Sequence, residues 1–176
     1  MALEQAMQER TSGWKTVCEI DWDRVYADQL PRVYNYFRFR IRNQADVEDL
    51  TSRTFEKAWR AREKYRAELA GVSTWLFAIA RNVAIDHMRA AVEHLPMDAA
   101  DDAPAESTPE IEVASLSDMA RLNALAAGLP DRERDLLAMK YGAALNNRAI
   151  AQLTGLSESN VGTILSRTVE KLRARW

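Results

Sequence analysis

With 176 residues, 47% of them hydrophobic, the chain is long enough for one large or two small domains and too apolar to be disordered throughout. Its formal net charge of −2 is uneven: +2 over residues 1–91, −7 over 92–117 (seven acids, no Lys or Arg) and +3 over 118–176. No apolar stretch is long enough to span a bilayer, Met1–Arg10 carries Glu4 and Glu9 where a signal peptide would be basic and then apolar, and the one cysteine, Cys18, excludes an internal disulfide or a cysteine-based zinc site. These features predict a cytoplasmic protein without direct membrane insertion, with Cys18 as a small apolar side chain.

Ala, Leu, Arg and Glu dominate and no run of alternating β-branched residues occurs, so the expected fold is all-α. Residues 1–20 form an N-terminal extension that the sequence does not assign. Asp23–Arg42 places Val25, Leu30, Val33, Tyr34 and Phe37 at helical spacing, and Asn43–Asp46 breaks the pattern. Val47–Tyr65 continues with Val47, Leu50, Phe55, Ala58 and Trp59 facing inward, followed by a loop, Arg66–Ser73, that contains Gly71. Thr74–Ala91 closes this first lobe, residues 21–91, with Leu76, Ile79, Val83 and Ile85.

Residues 92–117 hold Pro96, Pro104 and Pro109 among small and acidic residues, a composition that reads as a flexible acidic linker. A second helical domain, 118–176, opens with Met119, Leu122 and Leu125 and pauses at Gly128. Pro130 and Asp131 suit the first turn of a helix over Arg132–Tyr141, with Leu136, Leu137 and Tyr141 inward. Arg148–Thr154 then precedes Gly155, whose backbone tolerates the left-handed conformation, and Ser157, a suitable N-cap. The last helix buries Val161, Ile164, Leu165 and Val169 and shows short polar groups on its other side. That is a helix-turn-helix able to enter a major groove, although a packed helical hairpin has the same pattern.

At Ala45–Trp59, ADVEDLTSRTFEKAW, and Ser73–Arg89, STWLFAIARNVAIDHMR, the chain resembles extracytoplasmic-function sigma factors, the small two-domain class of bacterial RNA polymerase specificity subunits. The resemblance runs from about Asp21 to Arg175. It implies that the first domain binds core RNA polymerase and the −10 element, and that the second reads the −35 element of promoter DNA. For the polymerase it implies Asp46, Glu48, Asp49, Ser52, Arg53 and Glu56, a polar rim around apolar anchors such as Leu50 and Phe55, although a solvated face over a core of Leu50, Phe55 and Trp59 has the same pattern; the family's usual Gln-Glu type pair is here Ser52-Arg53, which reverses one charge. For the melted −10 strand it implies Tyr65, Arg66, Trp75, Arg81, Asn82, His87 and Arg89, types that stack on bases, bond to them or neutralise phosphates. Trp75 fits core packing equally well, and Arg81 and Arg89 also suit plain exposed charge. For the −35 element it implies Arg148, Ser157, Glu158, Ser159, Asn160, Thr163, Ser166, Arg167 and Lys171, with Arg173 and Arg175 near phosphates. Many relatives carry a cation mid-helix where this chain has Gly162-Thr163-Ile164.

The resemblance further implies an anti-sigma partner. The linker acids either mimic nucleic acid in a basic channel or merely solubilise the segment. No phosphate-cradling glycine loop, metal-ligand spacing or nucleophile–base framework is present, so no catalytic residue, metal ligand, cofactor or small-molecule substrate is assigned. His87 has only His94 as a second histidine. A stand-alone helix-turn-helix regulator explains Asn146–Trp176 but leaves the two upstream motifs unused.

Overall fold

Asp21 starts the first helix by accepting the Arg24 backbone N–H at 3.0 Å, one of the donors that a helix N-terminus otherwise leaves unpaired. The computed structural model describes residues 20–93 and 118–176. Residues 1–19, with Cys18, and 94–117, with His94, lie outside the described residues, so the readings of the N-terminal extension and of nearly all the linker do too. Three helices build the first lobe: α1 (Trp22–Arg40), α2 (Gln44–Ala61, followed by a short 3₁₀ turn at Arg62–Lys64) and α3 (Val72–Glu93). α3 runs two residues into the segment read as linker. Val33, Tyr36 and Phe37 from α1, Val47, Leu50 and Ala58 from α2, and Leu76, Phe77, Ala80, Val83 and Ala84 from α3 are buried at three- and four-residue spacing. The buried hydroxyls of Thr51 and Thr54 donate to Val47 O and Leu50 O one turn back, so neither is left unsatisfied.

Trp59 was expected in this core. It is 54% exposed, because it lies on the far side of α2 from Leu50 and Thr54, and the Arg62 guanidinium stacks 4.1 Å from its ring centre.

The second lobe comprises α4 (Asp118–Ala127), α5 (Asp131–Leu137), a π-helical turn (Ala138–Gly142), α6 (Asn147–Thr154) and α7 (Glu158–Arg173). Pro130 occupies the N-cap of α5 rather than its first turn, with Asp131 and Glu133 favourably placed behind it. Arg134 donates to the carbonyls of Ala126, Ala127 and Leu129, giving partners to the end of α4 and the turn that follows. The single helix expected over Arg132–Tyr141 instead widens after Leu137. Ala143 N–H reaches back to Ala138 O at 2.8 Å, an extra residue per turn. That residue turns Ala138, Met139 and Gly142 inward and leaves Tyr141, expected inside, 56% exposed.

The turn between α6 and α7 follows from local chemistry. Asn146 caps α6 through Ala149 N–H at 2.8 Å. Gly155 ends it at φ +73°, the left-handed region. Ser157 Oγ accepts Asn160 N–H at 3.2 Å and starts α7. Val161, Leu165, Thr168 and Leu172 form its buried stripe.

The lobes meet along α1. Gly142 passes so close to it that a Cβ there would lie 3.0 Å from Asn35 O and from the Phe39 ring. One apolar cluster therefore continues from Val33, Phe37 and Phe77 into Leu136, Met139 and Ile150.

Space around Gly155 is open, so a side chain there meets only backbone strain. Gly155→Val is expected to lower stability by about 1–2 kcal/mol in urea unfolding; an unchanged midpoint would contradict the left-handed turn.

Candidate nucleic-acid interface

The polar side of α7 faces outward. Ser159, Gly162, Thr163, Ser166, Arg167 and Glu170 line an open, shallow groove on it. Thr163 Oγ1 donates to Ser159 O at 3.0 Å, leaving its lone pairs and methyl toward solvent. Glu158, Asn160, Arg148 and Arg167 are exposed. Two further expected residues are held by partners of their own. Ser157 is engaged as the N-cap, and Lys171 Nζ donates to both Glu133 carboxylate oxygens at 2.8 and 3.1 Å. A phosphate at Lys171 would have to displace Glu133. Absence of bulk at Gly162 brings Asn147 of α6 near the groove floor, its side-chain nitrogen 3.5 Å from where a Cβ would be. Lys140 donates to that Asn147 side chain at 2.9 Å. Asn147 was not singled out from sequence, because only the crossing of α6 on α7 puts it there.

At the other lobe, Tyr65, Arg66 and Trp75 gather at the start of α3. Trp75 is the middle of an edge-on aromatic row, 5.9 Å from Trp22 and 5.2 Å from Tyr65, so it packs in part while its neighbourhood keeps stacking surface. Tyr65 Oη donates to Ala70 O at 2.9 Å and pins the loop over residues 65–71. Desolvation, then the charge of Glu68, raises its pKa. Arg66 is exposed, its guanidinium donating to Glu63 O and Tyr65 O.

Further along α3 the candidates separate. Asn82 and Arg89 are exposed. His87 lies 3.7 Å from Asp46, which joins a −10 candidate to a polymerase candidate. Arg81 faces the second lobe: its Nε donates to Asp135 Oδ2 at 2.9 Å and its Nη1 to Leu153 O at 3.4 Å. Arg81 and Arg89 thus form no common exposed track here, although their spacing put them on adjacent turns. Asp135, the last of the charged residues of α5 before Leu136 and Leu137, has no partner legible in the sequence, yet it is buried and also accepts from Tyr36 Oη at 2.9 Å.

The outer side of α2 carries Glu48, Asp49, Ser52, Arg53 and Glu56, all exposed. Asp49 pairs with Arg53 at 3.4 Å and Glu56 with Arg60 at 2.6 Å, while Ser52 Oγ donates back to Glu48 O. Asp46 sits apart at the α3 edge. Beside these acids runs a groove lined by Trp22, Tyr26, Phe55 and Trp59, which includes Phe55 of the two apolar anchors weighed for this face, whereas Leu50 is buried in the core. An apolar groove rimmed by acids is the plan of a protein-docking surface.

Residues 25–93 match the Sigma-70 region 2 family and residues 125–174 match the Sigma-70, region 4 family. Two helical lobes in that order, the second with an outward helix-turn-helix, define a sigma-70-type transcription initiation factor. The chain is 29% identical over 153 residues to the ECF RNA polymerase sigma factor BldN of Streptomyces coelicolor, covering 85% of this chain and 58% of that protein. It is 30% identical over 134 residues to the ECF RNA polymerase sigma factor ShbA of Streptomyces griseus subsp. griseus, covering 73% of this chain and 70% of that one. The fold is shared with the sigma factor RpoE of Bartonella quintana, solved with the anti-sigma factor NepR, at a TM-score of 0.67 and 18% identity over 88% of this chain and 95% of that one. The chain belongs to the ECF RNA polymerase sigma factors, a family of non-enzymatic initiation factors. No helix among the described residues is long and apolar enough to cross a membrane.

Burial, and then the Asp135 charge, pushes the Tyr36 phenol well above the usual tyrosine value near 10. The folded chain therefore holds this proton more tightly than the unfolded chain. The contribution is complete below about pH 10 and is lost as pH rises above it. Urea-unfolding stability is expected to fall more steeply above about pH 10 in the wild type than in Tyr36→Phe; parallel profiles would contradict the burial of this phenol.

Proposed function

We propose that this chain directs core RNA polymerase to a bipartite promoter: α7 reads the −35 element, the start and outer side of α3 hold the melted −10 strand, and the outer side of α2 with its aromatic groove docks on the polymerase. The observation that supports this best is the open face of α7. Gly155 and Ser157 present Ser159, Thr163, Ser166 and Arg167 outward while Val161 and Leu165 anchor the helix. Short polar groups flanked by one long cation suit base-edge contact with backbone support.

Polymerisation belongs to the partner, and the chain itself carries out no bond-making step. The reading places it in the cytoplasm, where it meets polymerase and DNA, and gives it an anti-sigma protein as inhibitor. The unit boundaries that go with it are 21–91 for the polymerase- and −10-binding domain and 118–176 for the −35 domain. A DNA-binding regulator acting without polymerase is not favoured, because the region 2 segment and the acidic side of α2 would then serve no partner.

Retention of the chain by core polymerase and runoff transcription from a promoter library test the proposal together. Start-site-specific transcripts that need the chain support it; no retention and no transcript refute it. Within that assay Arg167→Ala is expected to weaken promoter binding across sequences and to reduce the slope of log affinity against log salt by about 1. An unchanged affinity and slope would remove Arg167 from the interface.

A further inference from the structure

Around the end of α1 guanidinium groups gather without matching carboxylates. Arg38 and Arg40 lie in its last turn, and Arg42 follows the C-cap residue Ile41. With Arg134 of α5 and Gln44 of α2 they line a cleft of about 460 Å³, and Phe39 forms part of its apolar wall. The negative end of a helix suits cations, which accounts for Arg38 and Arg40. It does not account for Arg42 beyond the helix, nor for Arg134 arriving from α5.

The partners of these cations are few. Arg134 is fixed by the carbonyls of Ala126, Ala127 and Leu129, and its Nη1 has the exposed Asp131 carboxylate at 3.8 Å. Arg40, its side chain 4% exposed, donates through Nη1 to Asp131 O at 2.9 Å, and its Nη2 meets Met88 Sδ at 3.2 Å. Its buried Nε has no hydrogen-bond partner among the described residues. The Asp135 carboxylate 3.8 Å from that Nε is already bonded to Tyr36 and Arg81. Glu48, on the α2 side, is engaged by Gln44 at 2.8 Å. Arg38 and Arg42 are exposed and make no hydrogen bond or ion pair among the described residues; the Arg38 guanidinium lies 6.0 Å from the Tyr34 ring. Burial holds Arg134 below the usual arginine range; Asp131 opposes this, and the charges of Arg40 and Arg42 add to it. An anion among these groups would relieve that repulsion.

We infer that this cleft is a binding site for an oligophosphate anion, carried by a nucleotide or as inorganic polyphosphate. A guanidinium is a planar fork that matches phosphate oxygens two at a time. Arg38 and Arg42, free to turn, would clasp the phosphate chain, while Arg40 and Arg134 supply fixed charge behind it. The start of α2, capped by Asn43, brings the positive end of a helix to the same cleft. The volume falls within the range of small-ligand sites, and the Phe39 wall offers an apolar surface to a base. None of the four arginines belongs to the surfaces assigned above to DNA or polymerase, so the site is additional to them.

Isothermal titration of the full chain with ATP, inorganic triphosphate and orthophosphate, at about 0.15 M salt, tests this. Saturable one-to-one binding of ATP is expected, with orthophosphate at least tenfold weaker. Triphosphate binding as tightly as ATP would assign recognition to the phosphate chain alone; tighter binding of ATP would assign it to the nucleotide. Arg38→Gln and Arg42→Gln, with helicity unchanged by circular dichroism, are each expected to weaken binding about tenfold, since each removes a charge-assisted contact. Arg24→Gln, at the far end of α1, is expected to keep wild-type affinity. No saturable binding of ATP or triphosphate would overturn the site. So would undiminished binding in both cleft variants, or an equal loss in Arg24→Gln, which would reduce the effect to general attraction toward a cationic surface.

Discussion

Asp135 is the constraint on which the arrangement of this molecule turns. A carboxylate placed in the apolar seam between two lobes is costly unless each oxygen is satisfied. Here Tyr36 serves one and Arg81 the other, with Arg40 adding charge but no hydrogen bond from its Nε. Such a site stabilises little compared with an apolar seam of the same volume. It defines orientation instead, because only one placement of α5 on α1 and α3 supplies all the partners. The apolar contacts around it, Phe77 and Phe37 on one side and Leu136 and Met139 on the other, would tolerate sliding; the carboxylate does not.

What the sequence disclosed was local. Gly155 and Ser157 announce a helix end and a helix start, and both do what their backbone chemistry requires. The helical spacing of Val33, Phe37, Leu50, Val83, Leu136 and Leu165 locates the inward sides correctly. What stayed hidden depends on contacts far apart in the chain. Tyr36 and Asp135 are 99 residues apart, and nothing in either neighbourhood names the other. The widened turn after Leu137 reads as ordinary helix until Gly142 is seen against Asn35. Trp59 looked like core because large aromatic residues usually are, yet its position on α2 turns it out beside the acids. Of the candidate site residues, those on the open side of α7 were the most legible, since exposure on a terminal helix needs no partner. Arg81 and Lys171 were the least, because each is claimed by an acid from a distant helix.

The surfaces that remain available divide by chemistry. The side of α7 offers small polar groups and Arg167, suited to DNA. The side of α2 offers carboxylates around exposed aromatic rings, unsuited to DNA and fitted to a basic, partly apolar protein surface. A net charge near zero is therefore compatible with a promoter-binding protein. The exposed cations of α7 are local, the acids of α2 lie on a different face, and the most acidic stretch lies between the domains.

On the proposed function one chain, riding on polymerase, holds duplex DNA with one lobe and opened DNA with the other. Permanganate footprinting of a promoter with core polymerase tests it most directly, since only unpaired thymines react. With the chain present, reactive thymines should appear in the −10 region while the −35 region remains protected duplex. Protection at −35 without any melted thymines, or identical reactivity with and without the chain, would contradict the account.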